Sequence, residues 1–128
     1  MTRIDPSHEE LDAARALVDS GFPRQAISRA YYAAFYAARA ALEAVGESSP
    51  KTHSGMRSRF GDLARSTPNL GPEVGRALSQ LGTDRTEADY DEPTITIDEA
   101  KDAIAKAQRV VEAVERAIAA GLGEARPR

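Results

Sequence analysis

Arginine and tyrosine side chains recur together in one stretch of the chain, S-R-A-Y-Y-A-A-F-Y-A-A-R-A-A-L, which begins at Ser28. Arg29, Tyr32, Tyr36 and Arg39 follow one another at intervals of three or four residues, which places them on one face of a helix. Guanidinium groups and tyrosine rings can hold phosphates and stack on bases, so this face is a candidate site for RNA or a nucleotide. The alternative is structural, with the rings in the core or an interface and Arg29 paired with an acidic residue.

A second group of candidate residues follows at K-T-H-S-G-M-R-S-R, residues 51–59. Lys51, His53 and Arg57 lie at the predicted start of a helix, where free backbone N–H groups favour anions. An imidazole beside a lysine and arginines therefore predicts a phosphate site with acid–base capacity. His53 could equally be a capping or packing residue, which is the interpretation that we give to His8.

A third group lies in R-T-E-A-D-Y, which begins at Arg85. Arg85 and Asp89 are four residues apart, and a weak intrahelical ion pair is their simplest interpretation. The two histidines of the chain are distant in sequence and cysteine is absent, so we expect no metal site. No motif indicates a cofactor.

The length of 128 residues suits one domain that can bury a core without a disulfide or a metal. The absence of cysteine excludes thiolate chemistry. The sequence has no apolar run of the length that spans a membrane, and its polar N-terminus lacks the features of a signal peptide. We therefore expect a cytoplasmic protein that does not associate with membranes. The predicted domain covers residues 1–128, with its core at about 7–120 and a flexible tail at 121–128.

Charge is distributed unevenly along the chain, although the net charge is only −3. Residues 51–65 carry four basic side chains and one acidic side chain, whereas residues 84–102 carry eight acidic and two basic ones. A local basic surface could bind phosphates. The alternative is a pair of ordinary solvated faces with opposite charge.

Hydrophobic periodicity and capping signals predict five helices. Capping boxes, in which a Ser or Thr and a later Glu satisfy each other's backbone N–H groups, are predicted for Ser7 with Glu10 and for Thr96 with Glu99. The segment D-E-P-T-I-T-I is predicted to be an extended linker. The fold class is all-α, an antiparallel up-and-down bundle of four to five helices. The predicted helices run from Ser7 to Gly21, Pro23 to about Val45, His53 or Ser54 to Arg65, Glu73 to about Tyr90, and Thr96 to Gly121.

The second of these helices has a face composed only of alanines, which would let another helix approach closely. This face is larger than a four-helix core needs, so we predict that part of it, or part of the tyrosine stripe, contacts a second copy of the chain in a homodimer. The alanines are Ala30, Ala33, Ala37, Ala40, Ala41 and Ala44.

Three motifs together give the chain a family resemblance. S-R-A-Y-Y-A-A-F-Y-A-A-R-A-A-L at Ser28, P-K-T-H-S-G at Pro50 and R-T-E-A-D-Y at Arg85 resemble motifs of the HEPN domain family, in its small stand-alone bacterial and archaeal branch. The resemblance spans about residues 7–120. It implies a helical bundle that dimerises and is often encoded beside a minimal nucleotidyltransferase acting as its antitoxin. It also implies metal-independent ribonuclease activity, which many members have.

The ribonuclease signature of that family is an arginine followed, after four to six residues, by a histidine. Arg85 matches the arginine, but Tyr90 stands where the histidine would be, and no histidine follows it. Because tyrosine titrates about three units above histidine, Tyr90 is a poor proton carrier at neutral pH. Activity resting on Arg85 alone should be slow, and His53 could substitute if the fold brings it alongside Arg85.

The sequence therefore favours two hypotheses. In the first, a HEPN-type protein of a toxin–antitoxin or stress-defence module binds RNA or a nucleotide and has at most weak ribonuclease activity, with Arg85, Tyr90 and His53 as catalytic candidates. In the second, it is a non-catalytic interaction module that partners a nucleotidyltransferase. Convergence of Arg85 with His53 or Tyr90 in an open cleft would favour the first hypothesis, and covered, ion-paired groups would favour the second. The candidate binding residues are Arg29, Tyr32, Tyr36, Lys51 and Arg57.

Overall fold

The computed structural model describes residues 2–89 and 94–124, which form five α-helices and, within those ranges, no β-strand. Each helix begins and ends within two residues of the bounds that the sequence predicts, and the all-α fold class is confirmed. The helices are α1 (Asp5–Asp19), α2 (Pro23–Ala44), α3 (His53–Ser66), α4 (Pro72–Asp89) and α5 (Ile97–Ala119).

Helix α2 lies at the centre of the bundle and contacts each of the other four helices. Its apolar arc faces the core, where Tyr31 and Leu42 have no exposed surface. Helix α5 supplies the buried valines Val110, Val111 and Val114 from the other side. The helices therefore enclose a single hydrophobic core, and α2 is the one element that both contributes to the core and borders every other helix.

Most of the alanine face of α2 is buried inside the chain, whereas Ala40 and Ala44 are partly exposed. Ala30, Ala33, Ala37 and Ala41 have no exposed surface. Helices α1 and α5 pack against α2 more extensively than α3 and α4 do. The homodimer stays a prediction, and of this alanine face only Ala40 and Ala44 are exposed enough to contact a second copy beside the tyrosine stripe.

The capping box predicted at Ser7 is wrong. Helix α1 begins two residues earlier, at Asp5, and no side chain caps it. Ser7 is buried and its hydroxyl donates to the Ala33 carbonyl oxygen of α2 at 2.7 Å. The serine joins α1 to α2 because a buried hydroxyl requires a partner, and the missing alanine side chains bring that carbonyl within reach.

The capping box predicted for α5 is confirmed. The Thr96 side chain accepts from the Glu99 N–H at 3.0 Å, and the Glu99 carboxylate accepts from the Thr96 N–H at 2.9 Å. At the other end of α5, residues 121–124 lie against the end of α2, with Leu122 packed on the core. The flexible tail at 121–128 stays a prediction, and residues 125–128 lie outside the described part.

Within residues 2–89 and 94–124, none of the helices combines the length and the apolar composition needed to cross a membrane.

Candidate functional site

The candidate site is built around the hydroxyl of Tyr31. The Tyr31 ring is wholly buried in α2, and its oxygen lies 2.7 Å from Nδ1 of His53 on α3. The His53 ring also stacks on Phe35, with ring centres 4.8 Å apart and planes inclined by 29°. The imidazole is therefore fixed between two aromatic rings of α2 rather than projecting freely from the start of α3.

The start of α3 holds His53 in place through the P-K-T-H-S-G motif. Thr52 is the N-cap residue, and its side chain accepts a hydrogen bond from the Gly55 N–H at 2.9 Å. A Cβ at Gly55 would come within 2.8 Å of Thr52 Oγ1 and 3.0 Å of the Pro50 side chain. The glycine is thus needed for the loop to fold back over the first turn, which places His53 as the first residue of the helix.

Arg85 reaches the same rings from α4. Its Cζ lies 5.4 Å from the centre of the Tyr31 ring and 5.3 Å from that of Tyr32, both within cation–π range. The predicted pair with Asp89 is present, but Arg85 Nε and Asp89 Oδ2 are 3.6 Å apart, which is too long for a hydrogen bond. Nε is buried and has no hydrogen-bond acceptor within the described residues. Arg85 therefore lies close to the tyrosines with an unsatisfied donor.

Arg57 completes the arrangement from one turn further along α3. Its Nη1 donates to the Tyr31 oxygen at 3.4 Å, at the long end of hydrogen-bond distances. A Cβ at Gly82 would come within 3.0 Å of both Cδ and Nη1 of Arg57, so the glycine of α4 leaves room for this guanidinium. We call Tyr31, His53, Arg57 and Arg85 the Tyr31 cluster.

The protonation states in the Tyr31 cluster follow from burial and from the two guanidinium groups. Burial, then Arg85 and then Arg57, lower the pKa of His53 below its ordinary value of 6.5. Burial raises the pKa of Tyr31 above 10.0, although the hydrogen bond from Arg57 acts in the opposite direction. Near pH 7 the cluster therefore contains a neutral imidazole and a neutral phenol beside two positive guanidiniums.

This combination suits a phosphodiester substrate. The neutral imidazole can accept a proton, and the guanidinium groups can stabilise negative charge that develops on a phosphate. Asp89 is the one carboxylate that the described contacts join to the cluster, and it pairs only loosely with Arg85. The described residues contain no group of His, Cys, Asp and Glu side chains that could hold a metal ion.

The remaining candidates from the sequence are distributed around this cluster. Tyr32 contacts two cations, because Arg29 Cζ lies 5.1 Å and Arg85 Cζ lies 5.3 Å from its ring centre. Arg29 is also paired with Glu10 at 3.1 Å, as the structural alternative proposed. Tyr36 lies one turn further along α2 and contacts Arg39 rather than His53 or Arg85.

Of the predicted basic surface, only Arg57 joins the cluster. Lys51 is exposed in the loop before α3. Arg59 pairs with Glu47, and Arg65 pairs with Asp62. The structure therefore brings His53, Arg57, Arg85 and Tyr32 together and leaves Arg29, Tyr36 and Lys51 at the periphery.

Two tyrosines differ from the other site residues: Tyr90 was predicted but is not described, and Tyr31 was not predicted to belong to the site. Tyr90, the third catalytic candidate, lies outside the described residues, so its role remains a prediction. Tyr31 recurs with Ile27, Phe35 and Leu42 at the spacing of a core-facing stripe, and its ring does lie in the core. Its hydroxyl was the missed signal, because a buried phenol usually has a polar partner, which a phenylalanine would not require.

Comparisons with known proteins agree with the motifs. The model of the HEPN domain matches residues 3–117. The chain is 40% identical to a "UPF0332 protein" of Gloeobacter violaceus over 87 residues, which covers 68% of each chain. A Methanocaldococcus jannaschii protein with the name "putative toxin" is 31% identical to this chain over 115 residues, which covers 90% of this chain and 85% of the relative. A "UPF0332 protein" of Thermotoga maritima is 34% identical over 113 residues, 88% of this chain and 85% of its own.

Proposed function

The chain belongs to the HEPN domain family, and on that premise we propose that it is the toxin component of a toxin–antitoxin pair, which binds RNA at the Tyr31 cluster and cleaves it slowly without a metal. The observation that carries the proposal is the convergence of His53 and Arg85 on the rings of Tyr31 and Tyr32. The name of the Methanocaldococcus jannaschii relative supports the assignment as a toxin.

The proposed reaction is an intramolecular transesterification. The ribose 2′-oxygen attacks the adjacent phosphorus and forms a 2′,3′-cyclic phosphate, while the bond to the 5′-oxygen of the next nucleotide breaks. His53 takes the 2′-hydroxyl proton on Nε2, in the tautomer whose Nδ1–H donates to the Tyr31 oxygen. Arg85 and Arg57 stabilise the charge on the phosphorane oxygens.

The reaction is expected to be slow because one proton-transfer partner is missing. The leaving 5′-oxygen must take its proton from water, since the described part of the cluster contains a single imidazole. A positioned acid or base contributes roughly 10²–10⁴ in rate, so the missing acid removes a factor of about that size. The lowered pKa of His53 partly offsets this loss by keeping the base unprotonated at neutral pH.

The test is cleavage of an end-labelled single-stranded RNA by the purified full chain in the presence of EDTA. We expect slow formation of fragments that end in 2′,3′-cyclic phosphate. Arg85→Gln should reduce cleavage about 10²-fold, as removal of other oxyanion-stabilising donors does. Arg109→Gln, which removes the same charge from the exposed surface of α5, should leave it unchanged. Equal rates in Arg85→Gln and Arg109→Gln would overturn the catalytic proposal.

The motif R-T-E-A-D-Y suggests one further variant for the same cleavage assay, Tyr90→His. If Tyr90 occupies the place of the family histidine, Tyr90→His should raise cleavage, because a second imidazole could protonate the leaving oxygen. No gain over wild type would indicate that position 90 does not serve the reaction, and the assignment of the base to His53 would remain testable on its own.

A non-catalytic interaction module is the second candidate function. It is favoured by the pairing of Arg85 with Asp89, which leaves the arginine side chain only 28% exposed, and by the tyrosine at position 90. In this case a nucleotidyltransferase antitoxin would bind the chain, and RNA would not be cleaved. Co-purification with a nucleotidyltransferase encoded beside this chain, without any RNA cleavage by the free protein, would favour this function.

We also propose that the chain forms a homodimer through the tyrosine stripe of α2. Tyr36 and Arg39 are partly exposed there and stack on each other, with Arg39 Cζ 4.8 Å from the Tyr36 ring centre. Such amphipathic residues are enriched at interfaces. Sedimentation velocity at tens of micromolar should give the mass of two chains for wild type and a smaller mass for Tyr36→Ala, and a single monomeric species in wild type would contradict this.

A further inference from the structure

A basic groove runs between α3 and α4, beside the Tyr31 cluster. Its volume is about 370 Å³, within the range of small-molecule and cofactor sites. Its walls carry hydrogen-bond donors from both helices, and no carboxylate and no aromatic ring lines it in the described part of the chain. The polar side chains that line it are Ser54, Arg57, Ser58, Arg65, Arg76 and Ser79.

The floor of the groove is formed by glycines. A Cβ at Gly75 of α4 would come within 3.0 Å of the Gly61 Cα of α3, so the two helix backbones approach closely at this point. With no side chains on the floor, the long arginine side chains rise on either side. The groove is therefore a consequence of where glycine occurs in α3 and α4, although glycine inside a helix lowers its stability.

The charge of the groove is only partly neutralised by the protein. Arg65 pairs with Asp62, but within the described residues Arg76 has no ion pair and Arg57 contacts only the neutral Tyr31 hydroxyl. Two of the three guanidinium groups in the groove therefore have no carboxylate partner among the described residues. Phosphate oxygens are acceptors of the kind that arginine forks bind best.

Arg57 belongs both to the groove and to the Tyr31 cluster, so the two adjoin at this side chain. Further along α4, the pocket against α5 is lined by four carboxylates and one lysine. A polyanion that reaches the Tyr31 cluster is therefore attracted along the α3–α4 side and repelled from the α4–α5 side. The carboxylates are Asp84, Glu87, Glu99 and Asp102, and the lysine is Lys106.

We infer that the α3–α4 groove binds the sugar-phosphate backbone of single-stranded RNA on one side of the cleaved bond. This inference rests on the proposed function, because the nucleotide bound at the Tyr31 cluster determines which phosphates of the strand lie in the groove. Without aromatic rings or carboxylates in the groove, the contacts are to phosphates and ribose hydroxyls and not to base edges, so the groove positions the strand without reading its sequence.

The test compares Arg76→Gln with Arg109→Gln in binding and cleavage. Both arginines are exposed and each variant removes one positive charge, but only Arg76 lines the groove. With a fluorescent oligouridine of about twelve nucleotides, Arg76→Gln should weaken binding about tenfold at low salt. It should also reduce the slope of log K against log salt by about 0.7, the value for one lost phosphate contact on a single strand. Arg109→Gln should change neither quantity.

The length of the RNA substrate distinguishes the contribution of the groove from that of the cleavage site. For an oligouridine of about three nucleotides, which is too short to fill both, Arg76→Gln should cleave as fast as wild type, whereas Arg85→Gln should not. Identical affinities and salt slopes in Arg76→Gln and Arg109→Gln, with wild type still cleaving RNA, would overturn the groove and leave the proposed function intact. A wild-type protein that neither binds nor cleaves RNA would overturn both.

Discussion

The two histidines of the chain make contacts of almost equal length in opposite environments. His8 Nε2 lies 2.8 Å from the Glu115 carboxylate, between α1 and α5. His53 Nδ1 lies 2.7 Å from the Tyr31 oxygen, between α3 and α2. The Glu115 carboxylate also accepts the Ile4 N–H at 2.8 Å, so His8 shares its partner with the backbone at the start of the bundle.

The difference lies in the charges that surround each imidazole. His8 faces an acid that can compensate a proton, and its contact ties α1 to α5. His53 faces a neutral phenol and two arginines, and burial, then Arg85 and then Arg57, lower its pKa. Among the described contacts, only the loose pairing of Asp89 with Arg85 offsets the local positive charge. The first arrangement stabilises the fold, and the second suits the binding of an anion and the transfer of a proton. Four predictions test this distinction.

The largest effect is expected from comparing the two histidines directly. His53→Gln should reduce RNA cleavage about 10²–10⁴-fold, because it removes the base of the reaction. His8→Gln should leave the cleavage rate unchanged. Initial rates with a labelled RNA measure both, and circular dichroism checks folding. A comparable loss of activity in both variants would show that the two sites do not differ in function.

The second prediction concerns the Glu115 region. Glu115→Ala should lower the free energy of unfolding by about 1–3 kcal/mol, because the buried Ile4 N–H and the His8 ring both lose their acceptor. Cleavage below the melting range should remain at the wild-type rate. Urea titration measures the stability, and an unchanged midpoint would show that the contact at α1 and α5 contributes nothing.

The third prediction concerns the role of Tyr31 as a positioning residue. Tyr31→Phe keeps the buried ring but removes the oxygen that contacts His53 and Arg57. We expect kcat to fall about tenfold, equivalent to one ordinary hydrogen bond, with little change in KM. A rise in KM at constant kcat would instead indicate that the hydroxyl contacts the substrate.

The smallest effect is expected in the pH dependence. Because the pKa of His53 is lowered, the acid limb of kcat/KM should lie below pH 6.5. The pKa of His53 is lower in the folded chain than in the unfolded chain, so the unfolded chain takes up this proton first as the pH falls. The free energy of unfolding should therefore decrease as the pH drops from 6.5 through the folded pKa of His53. Urea titrations at several pH values should show that this part of the pH dependence of stability is lost in His53→Gln and retained in His8→Gln. An acid limb above pH 6.5 would contradict the assignment.

The fold could be predicted largely from local signals. Pro23 marks the start of α2, Thr96 and Glu99 cap α5, and Gly46, with a φ of +81°, follows the end of α2 in the backbone conformation that only glycine adopts readily. The signal at Ser7 was misleading, because a serine near a helix start can either cap that helix or donate to a neighbouring one, and the choice depends on packing.

The site was less predictable because its members come from three helices. The sequence identified His53, Arg57 and Arg85 as candidates, but its spacings relate residues within one helix only. Arg29 and Arg85 appear equivalent as arginines on predicted helices. Glu10, nineteen residues away, pairs with Arg29 in the fold, whereas Arg85 approaches two tyrosine rings with its Nε unsatisfied.

The sequence by itself determined the five helices and the all-α class, because propensity, capping and periodicity act over a few neighbouring residues. Its three motifs indicated the family. Only the tertiary structure decided which candidates meet. It buried most of the alanine face of α2, and it placed His53, Arg57 and Arg85 around the hydroxyl of the buried Tyr31. The physical reason is that burial, charge pairing and the pKa of His53 depend on distances between helices, which close packing sets and spacing along the chain does not.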